Sequence, residues 1–582
     1  MKLYPAHEAW LGPLKNHEVA DVFYEIADLL EMAGTAGPFE PIAYRRAARQ
    51  IEALAEDVED VARQGRLRTI GGIGPSIARA IEEYLSTGKL TKLDELRTQV
   101  PPGLIEVMSI PGLGPKRAAL LWRELRITNL DELREAVENG RLRRLKGFGE
   151  KSEDNIRRGL EVVAETAKRF LIARAYPIAM GVIAYLRANA AVDRIEAGGS
   201  LRRWRETVGD VDLVVVTTKP EEVSRTFTTM PMVKSVLAAG ERKASVVLRE
   251  GLQVDLRMVE ARNWGAALQY FTGNKDHNIR LRGTAQARGM KLNEYGLFRE
   301  DESIAGAEEE DVYRALDLAW IPPELREDAG EVDAAAKGEL PDLVRLDEIR
   351  GDFHVHTNLT DGVDTLGSMI DAARSKGYEY VGISDHSQSL AVARGLSAEQ
   401  VLAHRDRIRR LNAELRGFTV LAGTECDILM DGAMDYSDEV LKELDFVIAS
   451  VHSRFNLPEP EMTGRIIRAV EHPDVNILSH PLTRLIGSRD AIAFDKDRVF
   501  EAAAEAGTAI EVNAFPNRMD LPGPMARYAK EKGCKLAIDT DSHARGQLDH
   551  MVFGVGLARR GWLEAGDVVN AWPLEKVKAF FG

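Results

Sequence analysis

The run Gly199-Ser200-Leu201-Arg202-Arg203-Trp204-Arg205-Glu206-Thr207-Val208-Gly209-Asp210-Val211-Asp212-Leu213-Val214 decides the reading of the first half of the chain. It ends in an apolar, β-branched stretch that predicts a strand. Asp210 and Asp212 stand at i and i+2 near its start, so both carboxylates share one sheet face. Asp255, at the centre of Gln253-Val254-Asp255-Leu256-Arg257, offers a third carboxylate from a neighbouring strand. Three carboxylates on adjacent strands suit Mg²⁺ or Mn²⁺, hard ions that take oxygen ligands. Two such ions serve in-line phosphoryl displacement. Asp-x-Asp alone is more often a solvated strand edge; the preceding Gly-Ser and paired arginines make this one specific.

Outward from that run, residues 1–170 read as short amphipathic helices, with apolar residues at i, i+3 and i+4 in 19–33 and 43–54. Three Gly-x-Gly turns punctuate them: Gly72-Ile73-Gly74, Gly112-Leu113-Gly114 and Gly147-Phe148-Gly149, each opening a helix-like run. Such a turn exposes backbone N–H groups at the positive end of a helix dipole, a place for a phosphate. Lys116, Arg117, Arg143, Arg144, Lys146 and Lys151 lie nearby, so the turns are expected to grip DNA without reading its sequence. The bland reading is a helical bundle with tight corners. Residues 170–262 predict a small mixed sheet, 264–320 more helices with loops, and 321–341, rich in Pro, Ala and acids, a linker. Beyond 346, strand-like pieces at 380–383, 418–422, 446–450, 475–478, 509–512 and 535–538 alternate with helical ones, which argues for α/β units closing into a barrel.

The chain has 582 residues, enough for several domains, and ordinary globular composition. No run approaches the ~20 apolar residues of a membrane span. Two cysteines, Cys426 and Cys534, cannot make a disulfide framework. A cytoplasmic, nucleoid-associated monomer is expected. The net charge of −15 hides a division: residues 101–300 carry 34 basic and 25 acidic side chains, while 301–350 carry 5 and 16. A basic middle between acidic flanks fits a phosphate-binding groove.

The run at 199–214, Asp255, and Tyr270-Phe271-Thr272-Gly273 together resemble the signature of family X, polymerase-beta-like DNA polymerases. The resemblance covers about residues 1–325. It implies an N-terminal helical, lyase-like domain (1–95), fingers with helix-hairpin-helix motifs (96–170), a nucleotidyltransferase palm (171–262) and a thumb (263–325). It implies that Asp210 and Asp212 bind two metals and that Asp255 binds the catalytic one and helps activate the primer 3′-hydroxyl. Arg169, Gly199, Ser200, Arg203 and Gly209 would hold the triphosphate. Tyr270, Phe271 and Gly273 would line the sugar, with Asn278 and Arg282 near the nucleotide. Gly72, Gly74, Gly112, Gly114, Lys116, Gly147, Gly149 and Lys151 would contact DNA. The implied substrates are gapped or primer-template DNA and dNTPs. Five positions depart from the family pattern: Trp204 where Gly is usual, Asn274 where Ser is usual, Ala80 where lyase-active members carry the Schiff-base lysine, and Ser76 and Glu40 where basic residues would grip a 5′-phosphate. Alanine has no amine, so lyase activity is expected to be weak or absent.

Nine of the twelve histidines follow residue 350. His354, His356, Asp361, His386, Glu425, His452, His480, Asp541 and His543 are of metal-ligand type and fall near strand ends. Imidazole with bridging carboxylate suits Zn²⁺, Mn²⁺ or Fe²⁺ better than Mg²⁺. The set resembles the PHP (polymerase and histidinol phosphatase) superfamily over residues 348–582, with 326–347 as an acidic linker before it. That resemblance implies a distorted (β/α)7 barrel holding two or three metals, and a 3′→5′ exonuclease. Arg394, Arg454 and Arg484 are candidates for steering the phosphate. The fold expected is therefore multidomain α/β and α+β. Two alternatives stand beside the two-headed enzyme: a nuclease with a vestigial polymerase, Trp204 obstructing the pocket, and a non-catalytic scaffold that binds DNA ends.

Overall fold

The structure is a computed structural model. It describes residues 14–582 apart from 35, 36, 38, 53, 55–57, 109, 111, 112, 146, 151, 158, 159 and 161–168. Gly112, Lys146 and Lys151 therefore lie outside the described residues. Among those described, no helix is long and apolar enough to cross a membrane.

The N-terminal helices bury one apolar face each around their own core, in which Phe23, Ile51, Ile81, Leu121 and Phe148 are almost fully enclosed. Two of the Gly-x-Gly turns end as helix starts. Gly74 precedes the helix Pro75–Thr87 and Gly114 precedes Pro115–Leu125, each with proline in the first turn, where a missing N–H costs nothing. Gly72 and Gly147 have φ of 84° and 96°, the left-handed region that glycine enters freely.

The palm sheet has five strands: β1 (Arg194–Ala197), β2 (Asp210–Val216), β3 (Val233–Ala239), β4 (Lys243–Leu248) and β5 (Gln253–Val259), in the order β1-β2-β5-β4-β3. Only β2 and β5 run parallel. Their register sets Asp212 directly beside Asp255. The helices Trp264–Thr272 and Lys275–Ala287 follow. A buried ion cluster fastens this region to the palm: Glu309 accepts from Arg202 at 2.8 Å, Arg326 at 2.6 Å and the Trp320 indole at 3.0 Å.

The C-terminal half carries six parallel strands, β6 (Tyr380–Ile383), β7 (Thr419–Asp427), β8 (Phe446–Ser450), β9 (Ile477–Leu478), β10 (Ala509–Asn513) and β11 (Leu536–Asp539), paired in chain order. All are buried on both faces, as parallel strands require. Residues 352–356 close the ring. Asp352 and Val355 carbonyls accept from Gly382 and Ser384 beside β6, while His354 and His356 exchange bonds with Ser542 beyond β11. The expected distorted seven-part barrel is what forms.

The acidic stretch 326–347 is not a bare tether. Glu331–Lys337 is a helix, and the fully buried Glu331 accepts from His277 Nδ1 at 2.6 Å. Arg326 is fully buried, and Val344 N–H bonds to the Leu563 carbonyl of the barrel half. Composition misread it because Glu327 is the partner of the largely buried Arg203 and Arg560 and Glu331 that of the buried His277, so neither is solvated charge.

Palm and barrel share one continuous hydrophobic core. Trp204, only 3% exposed, stacks on Tyr176 of the palm (5.4 Å between centroids) and packs edge-on against Phe553 of the barrel half. A Cβ on Gly556 would lie 2.8 Å from its ring, so glycine is what admits the indole. Trp204 adopts φ of 54°, in the left-handed region that glycine enters freely. That conformation costs an L-residue about 1–2 kcal/mol, which the buried indole offsets. Trp204→Ala is expected to destabilise by about 3–5 kcal/mol in reversible denaturant unfolding. Trp204→Gly should be the milder change, the reverse of the usual ranking, because only glycine relieves the backbone. An alanine variant as stable as the glycine one would refute the strain argument.

Candidate active sites

In the palm, Asp210 and Asp212 open β2 on one face and Asp255 joins them from β5 through the parallel register. Gly199 sits so close that a Cβ there would be 2.9 Å from the Asp212 carboxylate. Burial, then the neighbouring Asp210 and Asp255, push the Asp212 carboxyl up to about 7. Asp255 behaves oppositely. Burial raises it too, but hydrogen bonds from Ser245, Lys243 (2.9 Å) and Gln253 (3.0 Å) hold it below the ordinary carboxylate range. Crowded carboxylates of which one resists ionisation are what a cation relieves, so the residues fit a divalent metal.

Around the triad, Arg169 donates to Thr207 Oγ1 at 2.9 Å and to its carbonyl at 2.6 Å, and its Nη1 lies over Gly209, 3.3 Å from where a Cβ would be. Arg169 and Gly209 line a cavity of about 680 Å³ that also meets Gln253 of β5. Ser200 lies in the short helix Gly199–Arg202. Arg203, 12% exposed, is held by Glu327 (3.0 Å) and the Thr272 carbonyl. Tyr270 and Phe271 meet edge to face at 5.2 Å, and Arg257 lies over Phe271. Gly273, at φ 68°, turns the chain beside Arg203. Asn278 is locked to its own helix pair: it donates to the Tyr270 carbonyl and accepts from Gln269, both at 2.8 Å. Arg282 is half-buried on the same helix.

In the barrel, the nine ligand-type residues converge at the C-terminal ends of the strands. Three groups could each hold an ion: His356, Asp361, His386 and His543; His354, His356 and Asp541; His386, Glu425 and His452. Glu425, at 1% exposure, lies 2.8–3.6 Å from five imidazoles, those of His354, His356, His386, His452 and His480. Yet Glu425 Oε2, His386 Nδ1, His354 Nε2 and both His356 ring nitrogens make no aligned hydrogen bond. Lone-pair atoms that approach closely without hydrogen-bond alignment fit donors facing common ions, and the N/O set suits divalent metals. Burial and the neighbouring His543 and His386 push His356 down to about 4, which leaves its lone pair available at neutral pH. His386 goes up to about 10: burial opposes this, but Glu425 and Asp361 prevail. Strain gathers here too, since His480 and Asp541 have φ of 24° and 54°.

Comparison with known proteins agrees with this arrangement. Helix-hairpin-helix families match residues 14–90 and 104–161, the DNA polymerase beta thumb matches 267–327, and the PHP domain matches 352–513. The chain is 39% identical over 575 residues, 97% of its length and 99% of the relative's, to the DNA polymerase/3'-5' exonuclease PolX of Bacillus subtilis. It belongs to the PolX family. Probable phosphatases of Caldanaerobacter subterraneus subsp. tengcongensis (28% over 205 residues) and Shewanella sediminis (30% over 202) each match 33% of the chain and cover 75% and 77% of those relatives.

Two departures from the family pattern find their reason in this structure. Asn274 caps the helix Lys275–Ala287 by accepting from His277 N–H at 2.7 Å, the capping task that serine also performs, and reaches Glu327 at 3.0 Å. Trp204 faces the barrel half and not the carboxylates. Arg484 is not a phosphate-steering candidate: it donates to the Arg518 and Met519 carbonyls and faces Glu206 at 3.5 Å. Arg394 donates to the Thr360 carbonyl beside Asp361, and Arg454 is exposed.

Several residues carry no signal in the sequence. Glu511 accepts from His354 Nδ1 at 2.6 Å and from the His480 N–H, and Asp427 pairs with His452 Nδ1. Such carboxylates fix the tautomer of a ligating imidazole. Arg518 Nε lies 3.4 Å from Asp541, in a loop without any motif. Glu511→Gln should weaken metal retention about 10–100-fold, read as metal content after dialysis against a chelator; unchanged content would remove Glu511 from this role. At the palm, a proton competes with the metal for Asp212 below about pH 7. The Mg²⁺ concentration giving half-maximal primer extension should therefore fall as pH rises from 6 to 7 and level off above. A flat profile would contradict it.

Proposed function

We propose that the chain extends DNA primers at the palm and removes nucleotides from 3′ ends at the barrel, a gap-filling repair enzyme with its own nuclease. The observation that carries this is one chain holding two separate ligand sets, a carboxylate triad on a mixed sheet and a nine-residue histidine and acid cluster in a barrel. Mg²⁺ or Mn²⁺ at the triad and two or three Mn²⁺, Zn²⁺ or Fe²⁺ ions at the cluster would, when bound, supply positive charge for the negative charge that develops on the transferring phosphoryl group and the leaving oxygen.

The protein's own residues do the rest. Asp255, kept ionised by Ser245, Lys243 and Gln253, would hold the catalytic metal and help activate the primer 3′-hydroxyl. Arg169, Ser200, Arg203 and the backbone at Gly199 and Gly209 bind the triphosphate. Tyr270, Phe271 and Gly273 bound the sugar, with Asn278 shaping that wall through the Tyr270 carbonyl and Arg282 beside it. The turns at Gly72, Gly74, Gly112, Gly114, Gly147 and Gly149, with Lys116 and Lys151, grip the DNA backbone. In the barrel, Asp427 and Glu511 orient His452 and His354. Lyase activity is weak or absent, since Ala80 is buried in its helix and Lys92 is paired with Glu40 at 3.0 Å. The protein acts in the cytoplasm, at the nucleoid, as a monomer. Trp204, packed into the interface, takes away the reason for treating the polymerase as vestigial.

The test is a primer assay on one-nucleotide-gapped DNA with Mg²⁺ or Mn²⁺, with and without dNTPs. Asp210→Ala should abolish extension by at least about 10²-fold and leave 3′ shortening intact; His356→Ala should do the converse. Loss of both activities in either variant would refute two independent sites. Wild-type protein inert in both would favour the scaffold reading.

A further inference from the structure

The last helix of the barrel half, Met551–Arg560, ends against the segment expected to hold the nucleotide's phosphates. Its Arg560, 7% exposed, uses one nitrogen, Nη1, for two bonds: to the Arg203 carbonyl at 2.8 Å and to Glu327 Oε1 at 2.9 Å. The same Glu327 oxygen accepts from Arg203 Nε at 3.0 Å. Its other oxygen accepts from Asn274 at 3.0 Å and faces Arg205 at 3.5 Å. One carboxylate thus balances three guanidinium groups in a largely desolvated place. The neighbouring Arg559 makes a parallel contact, donating to Glu324 at 2.8 Å.

The consequence falls on Arg203. Its Nε is committed to Glu327 and its Nη1 to the Thr272 carbonyl, with Gly273 leaving just enough room, 3.2 Å from a Cβ position to Nη1. Nη2 has no hydrogen bond to the protein among the described residues. A guanidinium has five N–H donors in a fixed fork, so fastening two edges fixes where the third points. Without Glu327, Arg203, Arg205 and Arg560 would repel one another, and Arg203 would lose the partner that fixes its Nε edge.

We propose that Glu327 and Arg560 are positioning residues for nucleotide binding: the barrel half reaches across to hold the Arg203 guanidinium so that Nη2 is left for the triphosphate. The C-terminal enzyme is then part of the polymerase's substrate site as well as a site of its own. The inference rests on the reading of Arg203 as a triphosphate ligand.

Steady-state extension of a one-nucleotide gap by full-length Arg203→Ala, Glu327→Gln, Arg560→Met and the Glu327→Gln, Arg560→Met double variant tests it. Hydrolysis of bis(p-nitrophenyl) phosphate, a small diester that needs only the barrel centre, runs alongside. Glu327→Gln is close to isosteric and is expected to raise the dNTP KM about tenfold with kcat within twofold. Arg560→Met should raise KM at least threefold, and the double variant no further than Glu327→Gln alone, because the two act through one contact. Diester hydrolysis should stay within twofold throughout. If Arg203→Ala raises KM and neither Glu327→Gln nor Arg560→Met does, the inference is overturned and the Arg203 reading stands. If Arg203→Ala leaves KM unchanged, that reading fails and the inference falls with it. Multiplying KM effects in the double variant, or a parallel loss of diester hydrolysis, would also overturn it, the latter by showing a general loss of structure.

Discussion

The contact on which the rest depends is the indole of Trp204 against the bare backbone of Gly556. It joins residues of the mixed-sheet half to residues of the barrel half within one continuous core. A tryptophan at a left-handed backbone position is costly in isolation. It persists because Tyr176 on one side and Phe553 on the other enclose it. Ion pairs then ring that apolar centre: Glu206 with Arg484, Glu324 with Arg559, Glu327 with Arg560. Their side chains are largely removed from water, so each pairing fixes geometry more than it adds stability. The two halves are thereby one body, and not two enzymes on a string.

The two candidate centres solve the same electrostatic problem by different means. In the palm, like charges are crowded and one carboxyl responds by holding its proton near neutrality, while its neighbour is kept ionised by donors on the adjoining strand. In the barrel, imidazoles outnumber carboxylates, and Glu425 spans the cluster from its floor. Oxygen-only ligands suit harder ions and mixed N/O ligands suit borderline ones, so the two donor sets differ in the divalent ions they favour.

The acidic segment between the halves shows where composition misleads. Counted as charge it reads as solvated linker. In three dimensions Arg326, Glu327 and Glu331 are each committed to a specific partner: Glu309, Arg560 of the barrel half, and His277 of the adjoining helix pair. Burial of a charge is invisible to a count, because it depends on a partner that is distant in sequence: Glu327 and Arg560 are 233 residues apart.

The sequence by itself determined what is periodic or short-range. Strand positions at 380–383, 446–450 and 509–512 follow from apolar runs of strand length between turns, and the Gly-x-Gly helix starts from glycine and proline acting locally. Asp210 and Asp212 share a face because strands alternate with period two, and the ligand-type residues after residue 350 stand out by chemistry alone. Only the tertiary structure decided which carboxylate of the triad resists ionisation, because that turns on burial and on donors from β4. Tertiary packing also decided that Glu511 and Asp427 stand behind His354 and His452, and that Trp204 turns toward the barrel. These facts depend on the register of strands and the docking of two cores, which no local pattern encodes.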